Sequence, residues 1–131
     1  MSQANVELVH RVLDAFNRRD LDAALALMHG DVEFGSRIAA MEGGYRGHEG
    51  IRRWWATILD ASPDRTIEVV EVRDLGDLTL TRARARGHGG VSRIPYEETI
   101  WSVARWRGEQ AVWWSVFPTK AEALDAAGLS E

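Results

Sequence analysis

Residues 66–87, TIEVVEVRDLGDLTLTRARARG, alternate for most of their length between apolar or small side chains and polar ones. A period of two is typical of β-strands, because successive side chains point to opposite faces of a sheet. The interruption at Leu75-Gly76-Asp77 has the residue types of a tight turn. The stretch therefore predicts two antiparallel strands joined by a short connection.

The same period continues toward the C-terminus. YEETIWSVARW (96–106) and QAVWWSVF (110–117) are rich in the aromatic and β-branched residues that favour strands. Turn-forming residues at 87–93 and 107–109 separate them from each other and from residues 78–87. The second half of the chain thus predicts four consecutive strands with short connections.

The first half begins with a helical period. Residues before Asn17 carry apolar side chains at helical spacing and charged ones between them, which predicts an amphipathic helix. Asp20 is suited to cap a second short helix, 21–28, because its carboxylate can accept from free backbone N–H groups. Gly30 is the expected stop of that helix.

Further segments complete the predicted order. DVEF (31–34) predicts a short strand, and glycine-rich residues 35–47 predict a loop. Residues 49–61 return to helical spacing, with Trp54 off the apolar face, and 120–127 predict a last helix. Helices followed by a run of strands indicate an α+β fold, with the helices on one face of the sheet.

Composition bounds the class of protein. The 131 residues predict a single domain over 1–131, with no cysteine and a formal net charge of −4. We therefore expect neither a disulfide nor a thiolate metal site, and no metal, cofactor or nucleic acid as partner. No apolar run reaches the roughly 18 residues that cross a bilayer, so the sequence predicts a soluble, cytoplasmic protein that does not bind membranes.

Five stretches occur in an order that resembles a known superfamily. They are FNRRDLDAALALMHGDVEF (16–34), YRGHEGIRRWW (45–55), EVVEVRDLGDLTL (68–80), RWRGEQAV (105–112) and EALDAAGL (122–129). In these stretches the chain resembles the nuclear transport factor 2-like superfamily and, within it, the SnoaL-like polyketide cyclase and ketosteroid isomerase group. The resemblance covers nearly the whole chain.

The resemblance implies a cone-shaped, curved mixed or antiparallel sheet wrapped around N-terminal helices, as in a SnoaL-like, cystatin-like α+β barrel. It also implies an apolar pocket inside and a homodimer formed through the outer face of the sheet. It does not fix the activity, because the superfamily includes isomerases, cyclases, dehydratases, epoxide hydrolases and pure binding proteins.

Two positions argue against steroid isomerisation. The resemblance implies a carboxylate base just after Glu33, where this chain has Phe34, and a tyrosine on the first helix, where it has Val12. Without a positioned base and donor, that mechanism is not expected here. A dehydratase-like site would need a His and an Asp facing one pocket, and His48 is placed to line a pocket mouth.

Other acid–base chemistry stays open. Asp31, Glu33, Glu97 and Glu98 are candidate acids for a hydrolase-like site, with Arg82 or Arg84 as partner. Alternation puts Glu97 and Glu98 on opposite faces, so one of them faces inward or into a dimer contact, and such a carboxylate is a site candidate. We name Glu97 and Arg84 as candidate catalytic residues.

The arginines at 82, 84 and 86 share one face of their predicted strand, while threonines and alanines form the other face. Acidic residues on both neighbouring strands favour cross-strand ion pairs on a solvated face. The alternative is that Arg82 or Arg84 binds an anionic ligand.

Aromatic residues predict the pocket lining. The candidates are Phe34, Tyr45, Trp55, Trp101, Trp114 and Phe117. Because adjacent strand residues face opposite ways, one of Trp113 and Trp114 faces the helices, and we expect a partner subunit to cover the other. The sequence thus predicts a homodimer that binds a small apolar or polycyclic molecule, with isomerase, cyclase or hydrolase activity as one hypothesis and a non-catalytic binding or interaction module as the other.

Overall fold

A computed structural model of the protein describes residues 2–35 and 44–129. The helices are α1 (Ser2–Asn17), α2 (Leu21–Ala26), α3 (Gly47–Ala61) and α4 (Lys120–Ala126). The strands are β1 (Met28–Gly35), β2 (Tyr45–Arg46), β3 (Thr66–Asp74), β4 (Leu78–His88), β5 (Pro95–Arg107) and β6 (Gln110–Phe117). The predicted α+β order of elements is confirmed.

One curved, unclosed sheet has the strand order β2-β1-β6-β5-β4-β3. Strands β3 to β6 form an antiparallel meander, whereas β1 pairs with β6 in parallel. The sheet is therefore mixed, and the four consecutive strands predicted from the period of two are confirmed. Gly76 and Gly108 have positive φ angles of 89° and 62° in two of the hairpin turns, a conformation that favours glycine.

The second helix is shorter than predicted. Asp20 caps it, since its carboxylate accepts from the Ala23 N–H at 3.1 Å. The helix ends at Ala26, before Gly30, because the next backbone carbonyl is hydrogen-bonded to the sheet. The Leu27 carbonyl accepts from the Ala111 N–H at 2.9 Å. Gly30 lies inside β1 and stops no helix.

Part of the predicted loop 35–47 is regular structure. Tyr45 and Arg46 form β2, which pairs with Phe34 and Glu33 of β1, and α3 already begins at Gly47. Residues 36–43 of that loop lie outside the described part of the chain. The pairing brings the start of α3 beside β1 and so places that helix over the sheet.

The two faces of the sheet are covered differently. Helices α1 to α3 pack on one face, which we call the inner face, against residues such as Ala83 and Ala85 of β4. Helix α4 packs on the opposite, outer face, against Leu80 and Val103. The expectation that all helices share one face was therefore wrong for α4. The outer face of β4 begins with leucines before it continues with arginines, and α4 shields those leucines from water.

The side chain of Asn17 occupies hydrogen-bonding groups at the exposed edge of the sheet. β3 is an edge strand, and the Asn17 side chain pairs with the backbone of Ile67, donating at 2.8 Å and accepting at 2.9 Å. At the other end of the strand, Asn5 donates to the Gly76 carbonyl at 3.0 Å. The Asn17 bonds satisfy edge groups that could otherwise pair with another chain, and the two asparagines together hold α1 against β3 and the turn that follows it.

Two buried threonines on the inner face of β4 allow a matched stability test. The Thr79 hydroxyl accepts from the Trp106 indole N–H at 2.9 Å, whereas the Thr81 hydroxyl has no hydrogen-bond partner among residues 2–35 and 44–129. Thr79→Val leaves the indole N–H unsatisfied, and we expect it to lower the free energy of unfolding by about 1–3 kcal/mol. Thr81→Val removes a hydroxyl that makes no such bond, so we expect the free energy of unfolding to stay level or rise.

Urea denaturation followed by circular dichroism measures both variants. The two substitutions have the same chemistry and nearly the same burial, since each threonine is 1% exposed. Equal losses in the two variants would contradict the assignment of the Trp106 bond as the stabilising contact.

Candidate functional site

A cavity of about 440 Å³ lies between the helices and the inner face of the sheet. Small side chains make room for it, notably Ala83 on β4 and Ala24 on α2. Most of its lining is apolar, and six aromatic residues border it: Phe16, Phe34, Trp54, Trp55, Trp114 and Phe117, the last of which also packs in the outer cluster with Leu80 and Val103. Cavities of this size and lining accommodate small organic molecules in other proteins.

Four of the six predicted lining residues lie at the cavity, namely Phe34, Trp55, Trp114 and Phe117. Tyr45 does not line it: its buried ring lies 6.5 Å from that of Phe34 and 5.4 Å from the Arg53 guanidinium carbon.

Trp101 does not line it either. Alternation along β5 turns Ile100 and Ser102 inward and Trp101 outward, where the Arg82 guanidinium carbon lies 5.9 Å from its ring.

Sequence reasoning missed Trp54, which it placed off the apolar face of its helix. The Trp54 ring centroid lies 4.6 Å from that of Phe34 and 6.1 Å from that of Phe16, so it forms one wall of the cavity. The signal was present, because Ile51, Trp54, Trp55 and Ile58 follow an i, i+3, i+4, i+7 pattern that places them on one side of a helix.

The adjacent tryptophans of β6 face opposite ways. Trp114 is buried on the inner face, with its ring 6.0 Å from that of Trp106. Trp113 lies on the outer face in the cluster that α4 covers. Helix α4 of the same chain therefore supplies cover that the sequence assigned to a partner subunit.

The two positions that a steroid isomerase would use for its base and tyrosine both line the cavity. They are Phe34 and Val12, and both are apolar. The floor of the cavity thus offers neither a carboxylate nor a phenol at these points. His48 lies outside the lining, and its Nε2 is 2.8 Å from the Met28 carbonyl oxygen.

Ionisable groups occur only at the rim among the lining residues that the structure describes. They are Arg65, which follows α3, and Glu98 on β5. Register explains why Glu98 rather than Glu97 reaches the cavity: Glu98 pairs with inward Ala85, whereas Glu97 pairs with outward Arg86. Glu97 lies on the outer face, 3.6 Å from the Arg86 guanidinium.

The arginines of β4 form cross-strand ion pairs on the outer face, as the sequence favoured. Arg84 lies 3.6 Å and Arg86 3.3 Å from Glu68, and Arg82 lies 3.9 Å from Glu71. Their side chains are roughly half exposed, so each pair contributes only about 0–1 kcal/mol. The structure places Arg84, like Glu97, away from the cavity.

A polar network adjoins the rim. The Tyr96 phenol oxygen lies 2.8 Å from the Ser62 hydroxyl and accepts from Arg65 Nη1 at 3.2 Å. Gly87 makes this convergence possible, because a Cβ there would lie within 2.9 Å of Ser62, Asp64 and Tyr96 side-chain oxygens. Sequence reasoning did not single out this network, since its members come from the turn after α3 and from two different strands, β4 and β5.

Asp64 and His88 form the outer part of the network. Both His88 Nδ1 and the His88 backbone N–H donate to the Asp64 carboxylate, at 2.7 and 2.8 Å. The side-chain bond is the main cause that lowers the pKa of Asp64 below the ordinary carboxyl value of 3.8, and the backbone bond adds to it. The carboxylate of Asp64 is therefore engaged by His88 rather than by Arg65.

In the part of the chain that the structure describes, no three His, Asp or Glu side chains are grouped so as to hold a metal ion. No helix among the described residues is long and apolar enough to span a bilayer.

The lowered pKa of Asp64 predicts a pH-dependent contribution to stability. A depressed folded-state pKa stabilises the protein above the unfolded value of 3.8, and this contribution is lost as the pH falls through the folded-state pKa. We expect Asp64→Asn to be less stable than the parent at about pH 6, with the gap closing as the solution is acidified. Urea denaturation at a series of pH values measures the gap, and a gap independent of pH would contradict the role of the carboxylate charge.

The sequence matches the SnoaL-like domain family over residues 9–117. No curated protein is similar enough in sequence to count as a match.

Three solved structures illustrate the shared fold. An NTF2-like protein of unknown function from Burkholderia pseudomallei has a TM-score of 0.80 at 20% identity, covering 93% of this chain and 95% of its own. A hypothetical protein from Catenulispora acidiphila with a ketosteroid isomerase-like fold, in complex with trimethylamine, has a TM-score of 0.76 at 21% identity, with coverages of 95% and 94%. Wild-type IdmH, a proposed polyketide cyclase from Streptomyces antibioticus, has a TM-score of 0.75 at 25% identity, with coverages of 95% and 98%. Because the family match spans most of the chain, the protein belongs to the SnoaL-like domain family.

Proposed function

We propose that the protein binds a small apolar or polycyclic molecule in the cavity between its helices and its sheet. The observation that carries the proposal is the cavity itself: about 440 Å³, walled by aromatic side chains, with ionisable groups only at the rim among the described lining residues. The similarity to IdmH, a proposed polyketide cyclase, supports a ligand of this class.

The walls favour an aromatic ligand. Phe34 and Trp54 pack closely together on one side, and Trp55 stands edge-on to Phe16 at 5.0 Å between ring centroids. Burial of apolar surface contributes about 25 cal/mol per Å², and ring contacts add offset or edge-to-face attraction. A bicyclic or larger aromatic body would therefore gain most of its affinity from shape and burial.

A matched pair of valine substitutions tests where the ligand binds. Val116 lines the cavity, whereas Val70 on β3 is 42% exposed and outside it. We expect Val116→Phe to weaken binding of 2-naphthalenemethanol by about tenfold or more by occupying ligand space, while Val70→Phe leaves the affinity unchanged. Isothermal titration calorimetry measures both, and equal affinities in the two variants would place the ligand elsewhere.

A second candidate function is proton transfer at the rim, favoured by the presence of Glu98 in the cavity lining. The sequence assigned the chemistry to Glu97 and Arg84, but both lie on the outer face, so the proposal passes to Glu98. Its carboxylate would take a proton from carbon next to a ligand carbonyl and return it to the enolate. This step is common to isomerisation and to carbon–carbon cyclisation.

Deuterium incorporation into 2-tetralone, a bicyclic ketone with acidic protons, tests this candidate by NMR in D₂O. We expect the protein to accelerate exchange and Glu98→Gln to reduce the protein-dependent rate about 10²–10⁴-fold, because a positioned base contributes that much. Glu97→Gln is the matched control and should leave the rate unchanged. Equal rates in the two variants would leave ligand binding without catalysis as the function.

We also propose that the protein forms a homodimer through the outer face of its sheet. The ladder of alternating charges, with Arg84 and Arg86 beside Glu68, can complement a second copy of itself, and Trp101 is only half-buried there. Sedimentation should give a dimer that Arg84→Glu weakens, and a monomer would contradict the proposal.

The single domain over residues 1–131 and the cytoplasmic location stay predictions.

A further inference from the structure

Arg65 is the one cation among the described residues that line the cavity. Its position is fixed through its backbone: its N–H donates to the Ser62 carbonyl at 3.1 Å, and its carbonyl accepts from Arg19 Nη2 at 2.7 Å. The guanidinium carbon lies 5.8 Å from the centre of the Tyr96 ring. The side chain is thus held at the rim between α3 and β5.

The guanidinium has donors to spare. Its Nη1 donates to the Tyr96 phenol oxygen, but its Nε is buried and has no hydrogen-bond partner among residues 2–35 and 44–129. Because Nε is fully buried, a ligand would have to bind at Nη2, which donates to none of the described residues.

Arg65 also lacks a counter-ion. No carboxylate of the described residues forms an ion pair with it. The nearest acidic residue in sequence, Asp64, is bonded twice to His88. Glu98 shares the rim but is exposed, so water screens its charge from a second anion. A cation beside an apolar cavity favours a ligand that brings its own negative charge.

We propose that Arg65 selects ligands that carry a carboxylate on a planar aromatic body, with the body in the cavity and the carboxylate on the guanidinium. The inference rests on the proposed binding function and deepens it. The planar fork of Arg65 matches a carboxylate in geometry, and the carboxylate oxygens can accept from the guanidinium N–H groups at Nη2 that Tyr96 does not engage. Tyr96, held by Ser62, keeps the guanidinium turned toward the ligand.

Two probes that differ only at the polar end test the inference by isothermal titration calorimetry: 2-naphthoate and the neutral 2-naphthalenemethanol. We expect the parent protein to bind 2-naphthoate about tenfold or more tightly than the alcohol, since charge-assisted bonds are the stronger ones. Arg65→Gln should abolish that preference while keeping its affinity for the alcohol, which also shows that the variant is folded. Arg52→Gln, at an exposed position of α3 outside the cavity lining, should keep the preference.

The outcomes separate the two proposals. If the parent binds both probes equally, or if Arg65→Gln retains the preference for 2-naphthoate, the role of Arg65 is wrong while the cavity still binds ligands. If neither probe binds, the binding function falls and the inference falls with it. If Arg65→Gln does not fold, Arg65→Lys serves as the test. A reduced preference for 2-naphthoate in Arg65→Lys supports a positive charge at this position. If the ratio of the affinities for 2-naphthoate and 2-naphthalenemethanol is the same as in the parent, the guanidinium fork is not needed.

Discussion

The pleat of β4 is the constraint on which both faces of the protein depend. Its inward positions carry only small side chains, namely threonine, alanine and finally Gly87, and its outward positions carry leucine, then arginine and finally His88. Because successive residues must face opposite ways, one strand sets the volume on the inside and the charge on the outside. Larger inward residues would fill the space under α3, and apolar outward ones would require a cover longer than the 7-residue helix α4.

The small inward side chains of β4 leave the interior of the protein only partly filled. Alanines at the centre of the sheet leave space that the aromatic side chains of α1, α3, β1 and β6 surround without closing. Protein interiors are normally packed to the density of organic crystals, so a volume of about 440 Å³ is not a packing defect of ordinary size. An unfilled cavity lowers the hydrophobic stabilisation of the fold. The hydrogen bonds of Trp106 with Thr79 and of Asn17 with β3 stabilise the structure around the cavity.

Local signals were enough to predict the elements, and non-local pairing decided the site. The four strands of the meander were predictable because the alternation of their apolar and polar side chains can be seen within contiguous stretches of sequence. Whether Glu97 or Glu98 faces inward was not, because it depends on the register between β5 and β4, which no single segment encodes. The early end of α2 has the same origin, since a bond from Ala111 in the last strand takes the Leu27 carbonyl. Trp54 could have been predicted from helical spacing, whereas the contacts of Arg65 with Tyr96 depend on a turn and a strand 31 residues apart in sequence.

The distribution of polar groups around the cavity limits the chemistry it can perform. Phe34 and Val12 are apolar, so neither side chain can move a proton. Among the described lining residues, one cation and one carboxylate remain at the rim, Arg65 and Glu98, next to a network that ends at Asp64 and His88. A ligand must therefore present its reactive or charged atoms at the mouth and bury its apolar body first. Any reaction would take place where water has access, which weakens electrostatic stabilisation relative to a closed site. This arrangement suits selective binding more readily than difficult catalysis, and a reaction at the rim would be restricted to substrates whose protons are already acidic.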